Sequence, residues 1–239
     1  MIFERNSLKV KLFADGADLS GMIEMAEKPY ISGLTTNPTL MKKAGITNYE
    51  EFAKRVLSEI KILPISFEVF SDDIESMKKQ GEKIASWGDN VFVKIPVTNT
   101  QGISTKPVIS FLTKMGVKVN VTALMTDNQV ENIIDALNPN VESYISIFAG
   151  RIADTGRNPV PIMEKSIQIL SQNKNAELIW ASPRELLNIF QADEIGCHII
   201  TATNDILQKL NLQGKNLEEY SLETVQMFHR DAQISGFSI

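Results

Sequence analysis

The stretch VFVKIPVT, Val91 to Thr98, is an apolar run of β-type residues with a single lysine inside it. A nearly continuous Val/Ile-rich run reads as a strand buried on both faces, which places Lys94 in or at the edge of a dry interior. These eight residues leave two readings open. Either the lysine stem packs while its amine reaches water at the strand end, or burial, which disfavours the ammonium form, keeps the amine neutral enough to attack a carbonyl.

Working outward, similar short runs recur along the chain: LKVKLFAD (8–15), ISGLTT (31–36), ISFEVF (65–70), VKVNVTAL (117–124), YISIFAG (144–150), ELIWAS (177–182) and CHIITAT (197–203). With VFVKIPV (91–97) they make about eight β-rich segments. The intervening stretches carry helical periodicity, as in TDNQVENIIDAL (126–137), where Thr126 and Asp127 are candidate caps and Val130, Ile133, Ile134 and Leu137 share one face. Strands alternating with helices predict a parallel sheet. Eight such units in 239 residues predict a closed (β/α)8 TIM barrel, formed as a single domain over residues 1–239. No Ser- or Pro-rich linker divides the chain. After the eighth strand, NLEEYSLETVQMFHRDAQISGF places Leu222, Val225, Phe228 and Ala232 at helical spacing, which predicts an additional C-terminal helix. Its expected roles are to cover a barrel end, to pack on another subunit, or to lie over the site mouth.

Composition narrows the partners. The 24 Lys and Arg against 29 Asp and Glu give a net charge of −5, and the basic residues form no block. That argues against nucleic acid or an anionic membrane as the main partner and favours a small metabolite. One cysteine, Cys197, cannot form an internal disulfide, and the charged start MIFERNSLKV has no long apolar core. A cytoplasmic location is the expectation. Cys197 with two histidines, His198 and His229, makes no HExxH or CxxC pattern, so no metal site is expected.

In a barrel of this kind, function sits where strands end and βα loops begin. Asp15 closes the first strand, Thr35 and Asn37 the second, Lys94 lies near the end of the fourth, Asn120 and Thr122 near the end of the fifth, and Ser182 and Arg184 follow the seventh. Alternation puts Ser66 and Glu68 on one face of the third strand, and Asn120 and Thr122 on one face of the fifth. Inward-pointing, these faces meet Lys94. A ring of polar strand-end groups around one amine is not required by packing and favours the catalytic reading of Lys94.

The segments LFADGAD, GLTTNPTL, SFEV, VFVKIPVT, VNVTAL, SIFAGRI and WASPRE, in this order and at these intervals, resemble the transaldolase family, especially its short members, from about residue 8 onward. TTNPTL with VKIPVT is a specific pair. The resemblance implies a (β/α)8 barrel with a Schiff-base lysine on the fourth strand, where Lys94 falls in the independent strand count. Cleaving a carbon–carbon bond beside a ketose carbonyl leaves charge on carbon, which a protonated imine accepts as a neutral enamine, so no cofactor is required.

By the same resemblance, Asp15 takes the hydroxyl proton, and Glu68 with Thr122 holds a water that serves imine formation. Thr35, Asn37, Asn120 and Ser146 offer the neutral donors and acceptors that sugar hydroxyls require, and the family uses most of their equivalents that way. Arg151 and Arg184 match its phosphate-binding arginines and, with Ser182, would select phosphorylated sugars. Simpler roles stand beside these: Asp15 as a helix cap, Asn37 as a turn former before Pro38, Glu68 as a partner of a neighbouring strand, each arginine as a surface ion pair, and Phe148 as core or as pocket wall.

The expected reaction is transfer of a dihydroxyacetone unit from a ketose phosphate to an aldose phosphate by a homo-oligomer. Glu68 favours transfer, because the similar fructose-6-phosphate aldolases usually carry Gln there. The alternatives are such an aldolase using free dihydroxyacetone, a related enzyme acting on an unusual phosphosugar, and a non-catalytic sugar-phosphate-binding barrel. The family's usual Asp-Thr-Ala start reads Asp15-Gly16-Ala17 here, which removes one hydroxyl beside the expected base and keeps the unusual-sugar alternative open.

Overall fold

The computed structural model describes residues 8–236. The first seven residues of the chain start invoked above for location lie outside the described residues, as does the last residue of the predicted tail segment. Eight strands occur where the sequence predicts them: β1 (Lys11–Asp15), β2 (Ile31–Thr35), β3 (Ile65–Glu68), β4 (Val91–Pro96), β5 (Val119–Leu124), β6 (Ser143–Ile147), β7 (Ala176–Trp180) and β8 (Ile199–Thr203). Each pairs in parallel with the next, and β8 pairs with β1 over Lys11–Asp15 and Ile199–Thr203, which closes the barrel. The fold is the expected (β/α)8 barrel.

Helices fill the connections. They are α1 (Leu19–Ala26), α2 (Pro38–Lys43), α3 (Tyr49–Glu59), α4 (Ile74–Ala85), α5 (Lys106–Lys114), α6 (Asp127–Ile133), α7 (Ala149–Asp154), α8 (Val160–Leu170), α9 (Leu187–Glu194), α10 (Asn204–Gln208) and α11 (Leu217–Ser235). Their starts follow from short polar caps that satisfy first-turn N–H groups: Asp18 accepts from Gly21, Asn37 from Leu40, and Asp73 from Ser76. Thr126 and Gln129 form a reciprocal capping box at α6, whose helix tightens into a 3₁₀ turn at Ile134–Ala136 before the predicted end.

Alternation decides what fills the barrel. Val91, Val93 and Ile95 of β4 point outward into the main core beneath the helices, while Phe92 joins Phe13, Tyr144, Ile179, Ala181 and Ile199 in a separate interior cluster. Phe92 and Tyr144 stack at 4.0 Å, and Phe13 meets Tyr144 edge-on at 5.7 Å. Gly33 makes room for this plug, since a Cβ there would stand 2.4 Å from the Phe13 ring. Above the hydrocarbon the inward positions turn polar, with Ser66, Asn120 and Ser146 buried together. The plug shuts the lower end of the barrel and leaves the upper end as the place for chemistry.

The tail helix departs from two of its expected roles. None of the α11 residues is buried, and Leu222, Val225 and Phe228 are 57%, 60% and 62% exposed, so the helix covers neither a barrel end nor the mouth within one chain. Among the described residues no helix is long and apolar enough to cross a membrane.

Candidate active site

A cavity of about 700 Å³ opens at the carboxyl ends of the strands. Ten of the residues singled out in the sequence line it: Asp15, Thr35, Asn37, Glu68, Lys94, Thr122, Ser146, Arg151, Ser182 and Arg184. Phe148 is in its wall as well. Asn120, like Ser66, is not among the lining residues and lies in the buried polar layer. Its amide donates to Ser66 Oγ at 2.9 Å and accepts from Ser146 Oγ at 2.7 Å, which ties β3, β5 and β6 together.

Lys94 follows Val93 on β4 with its side chain turned into the barrel and only 7% exposed. Nζ donates to the Thr36 carbonyl at 3.1 Å and stands 3.4 Å from Glu68 Oε2. Parallel registration accounts for the pairing, since Glu68 of β3 is opposite Lys94, and Lys94 opposite Asn120 of β5. Glu68 is anchored from behind by Tyr49, whose hydroxyl donates to the Glu68 carbonyl at 3.1 Å. Burial pushes the Tyr49 phenol well above its ordinary value and keeps it a donor.

Asp15 ends β1. Thr35 Oγ1 donates to its Oδ1 at 2.8 Å. Desolvation raises the Asp15 carboxyl above its ordinary value, against the opposing pull of the Lys94 charge and the Thr35 hydrogen bond. The helix-capping alternative for Asp15 does not hold, because Asp18 caps α1. Asn37 Oδ1 accepts from Leu40 N–H at 3.0 Å as the cap of α2, and the residue also lines the cavity. Thr122 Oγ1 is buried with no hydrogen-bond partner among the described residues, an uncommon state for a hydroxyl and one a ligand or water resolves. Ala123 and Ser182, the two non-glycine residues with positive φ (64° and 59°) among the described residues, both wall the cavity, so backbone strain is concentrated here.

The arginines sit at the rim. Arg184 pairs with Asp154 of α7 through Nε to Oδ1 at 3.0 Å and through a second, short contact, so the ion-pair role predicted as an alternative is present. Asp154 holds the guanidinium above its ordinary value, and Arg184 holds the Asp154 carboxyl below its own. Arg151 lies 5.4 Å from the Phe148 ring centroid. Close backbone approach brings the first turn of α7, which carries Arg151, against the loop that carries Arg184 at Gly150, where a Cβ would fall 1.6 Å from the Ser182 carbonyl oxygen.

Sequence reasoning missed four groups: the Thr36 carbonyl, Tyr49, Asp154 and Thr201. A carbonyl leaves no mark in a side-chain pattern, and Tyr49 and Asp154 act on their partners from helices. Thr201 had a signal, since the alternation of CHIITAT puts it on the inward face of β8.

Cys197 and His198 lie apart from the cavity at the start of β8. Burial pushes the Cys197 thiol up to about 12, and His198 Nδ1 accepts the Leu178 N–H at 3.1 Å.

This geometry can be set beside known proteins. Residues 12–239 match the model of the Transaldolase/Fructose-6-phosphate aldolase family. A "Probable transaldolase" of Sulfurihydrogenibium sp. is 33% identical over 202 residues, covering 84% of this chain and 88% of that protein. Another of the same name from Methanococcus maripaludis is 33% identical over 205 residues, covering 84% and 89%. Among solved structures, KGPDC from Streptococcus mutans in complex with D-R5P superposes with a TM-score of 0.55 at 11% identity, covering 81% of this chain and 88% of that one, a likeness of fold alone. Matched over nearly its whole length, the chain belongs to the transaldolase/fructose-6-phosphate aldolase family.

Proposed function

We propose that the chain is a Schiff-base transaldolase that moves a dihydroxyacetone unit from a ketose phosphate to an aldose phosphate. One observation carries the reading: a buried amine, Lys94 Nζ, stands 3.4 Å from the Glu68 carboxylate in a cavity that also holds Asp15. Family membership supports aldolase-type carbon–carbon chemistry and phosphosugar substrates.

The steps follow from the groups present. Lys94 Nζ adds to the ketose carbonyl, and the carbinolamine loses water to give a protonated imine. Glu68 with the unpartnered Thr122 hydroxyl positions the water that carries protons in this exchange. Asp15 then takes the proton of the hydroxyl on the carbon beyond the bond to be broken. That bond cleaves, its electron pair flows to the imine nitrogen as an enamine, and the aldose leaves. The acceptor aldehyde is attacked by the enamine carbon while Asp15 returns the proton to the new alkoxide, and water releases the product ketose. A buried carboxyl raised by desolvation suits a group that must gain and give back a proton in one cycle.

Ser146 and Asn37 supply hydroxyl contacts along the cavity, Thr35 acts through Asp15, and Arg151, Arg184 and Ser182 supply the phosphate site at the rim. Asn120 acts indirectly by orienting Ser146. The apolar stripe of α11 supports assembly into a homo-oligomer, and the continuous barrel supports a single domain over the chain.

Borohydride reduction with fructose 6-phosphate tests the reading: mass spectrometry should locate a reduced adduct on Lys94, and Lys94→Met should lose both adduct and turnover. A family of ketose phosphates leaving no adduct would overturn it. Running the assay with and without an acceptor aldehyde separates transfer from release of free dihydroxyacetone.

A further inference from the structure

We propose that Thr201 of β8 is a positioning residue for Asp15: its hydroxyl donates to Thr35, which commits its own single proton to Asp15 Oδ1 and leaves Oδ2 as the atom that exchanges the substrate proton. The inference deepens the transaldolase reading and rests on it for the role of Asp15.

The argument is a proton count. A threonine hydroxyl has one proton to donate, and an ionised carboxylate has none. Thr35 Oγ1 lies 2.8 Å from Asp15 Oδ1 and 2.5 Å from Thr201 Oγ1. The contact with the carboxylate takes the Thr35 proton, so the proton between the two threonines belongs to Thr201. Both hydroxyls are buried, at 2% and 5% exposure, which leaves little freedom for another partner. The chain of donors thus runs one way, from β8 through β2 to β1. Register places it: Thr201 lies opposite Phe13, two residues before Asp15, and Thr35 opposite Asp15 itself. Thr201 is therefore one inward layer down on one flank of β1, and Thr35 is level with the carboxylate on the other. Asp15 Oδ2 receives no hydrogen bond among the described residues, and Asp15 lines the cavity.

Two linked donors favour the ionised carboxylate, because a hydroxyl already accepting a hydrogen bond is a better donor. They act with the Lys94 charge from β4 and against burial and the Glu68 charge from β3. Asp205 lines the same cavity as Asp15, and Asp18 and Lys43 line an adjoining one that Asp15 also borders. Replacing Thr201 by valine keeps the shape and removes the outer donor. The carboxylate then ionises less readily, and the acid limb of kcat/KM moves to higher pH.

The test compares pH–rate profiles of the full-length wild type, Thr201→Val, Thr201→Ser and Thr35→Val, beside a ¹³C NMR titration of the Asp15 carboxyl that needs no turnover. Thr201→Val should raise the limb and the NMR midpoint together by about half a pH unit, the size of one modest net hydrogen bond. Its deficit should shrink as pH rises, Thr201→Ser should restore the wild-type midpoint, and Thr35→Val should shift it further. An unchanged Asp15 midpoint in folded Thr201→Val, or a loss of rate equal at every pH, would overturn the proposal. A shifted NMR midpoint without a shifted rate limb would leave the donor chain standing and count instead against Asp15 as the base.

Discussion

Asp15 shows the conflict that a reactive carboxyl brings to a fold. Its ordinary value is 3.8, and desolvation raises it in the barrel mouth despite Lys94 and Thr35. Between the unfolded and folded values the native state binds more protons than the unfolded chain, so stability falls as pH rises through that window. Above the folded value the protein carries a buried ionised carboxylate at a net cost. Asp15→Asn should therefore melt at higher temperature than wild type near pH 7, by about 2–4 °C for each kcal/mol relieved in a chain of this size. The advantage should fade toward pH 4, while turnover is lost, which is the expected exchange of stability for activity. Thermal melts from pH 4 to 8 check this. Identical melting of the two proteins at every pH would mean that the carboxyl is solvated and not strained.

At the scale of elements, much of the site was legible because strand alternation is a two-residue rule. Lys94, Glu68, Asp15 and Thr35 each sit on an inward position near a strand's carboxyl end, and a correct strand count was enough to bring them together. Asn120 shows what alternation leaves out: it gives the face of a strand but not the depth, and Asn120 is two residues below Thr122, bonded to Ser66 and Ser146. Loop approach was illegible as well. Gly150 follows β6 in an ordinary-looking AGRI, yet it is the point where the backbone of the next strand's loop passes. Gly150→Ala must push Ser182 away, with an overpacking cost of about 1–3 kcal/mol. Because Arg151 rides on the first turn of α7 and Arg184 on the loop packed against it, the variant should lose selectivity for phosphate more than it loses reaction. The ratio of kcat/KM for glyceraldehyde 3-phosphate over glyceraldehyde should drop about tenfold, the value of one weakened charge-assisted hydrogen bond. A preserved ratio would place the phosphate elsewhere.

For the molecule as a whole, the barrel's closure and its tail make opposite demands. Closure was readable from the rhythm of eight βα units, since parallel sheets of that length hide their edges by meeting themselves. What lies against α11 was not, because an amphipathic pattern says that a face is covered and not by what. The difference yields a paired truncation. Ending the chain at Gly214 removes α11, none of whose residues is buried, so the barrel should stay soluble with near wild-type circular dichroism. If its apolar stripe is the assembly surface, light scattering should show a smaller particle than the full-length protein. Ending the chain at Gly196 removes β8, and with it the hydrogen-bonded partner of β1 from Lys11 to Asp15 and of β7 at Ile179 and Trp180. Two strands would then expose long apolar edges, which template pairing with other chains. That shorter protein should aggregate, lacking Thr201 and the wall behind Asp15, and no ketose should be trapped on Lys94. A soluble, trapping-competent chain ending at Gly196 would show that the lower aromatic plug of Phe13, Phe92 and Tyr144 holds seven strands in place without the eighth.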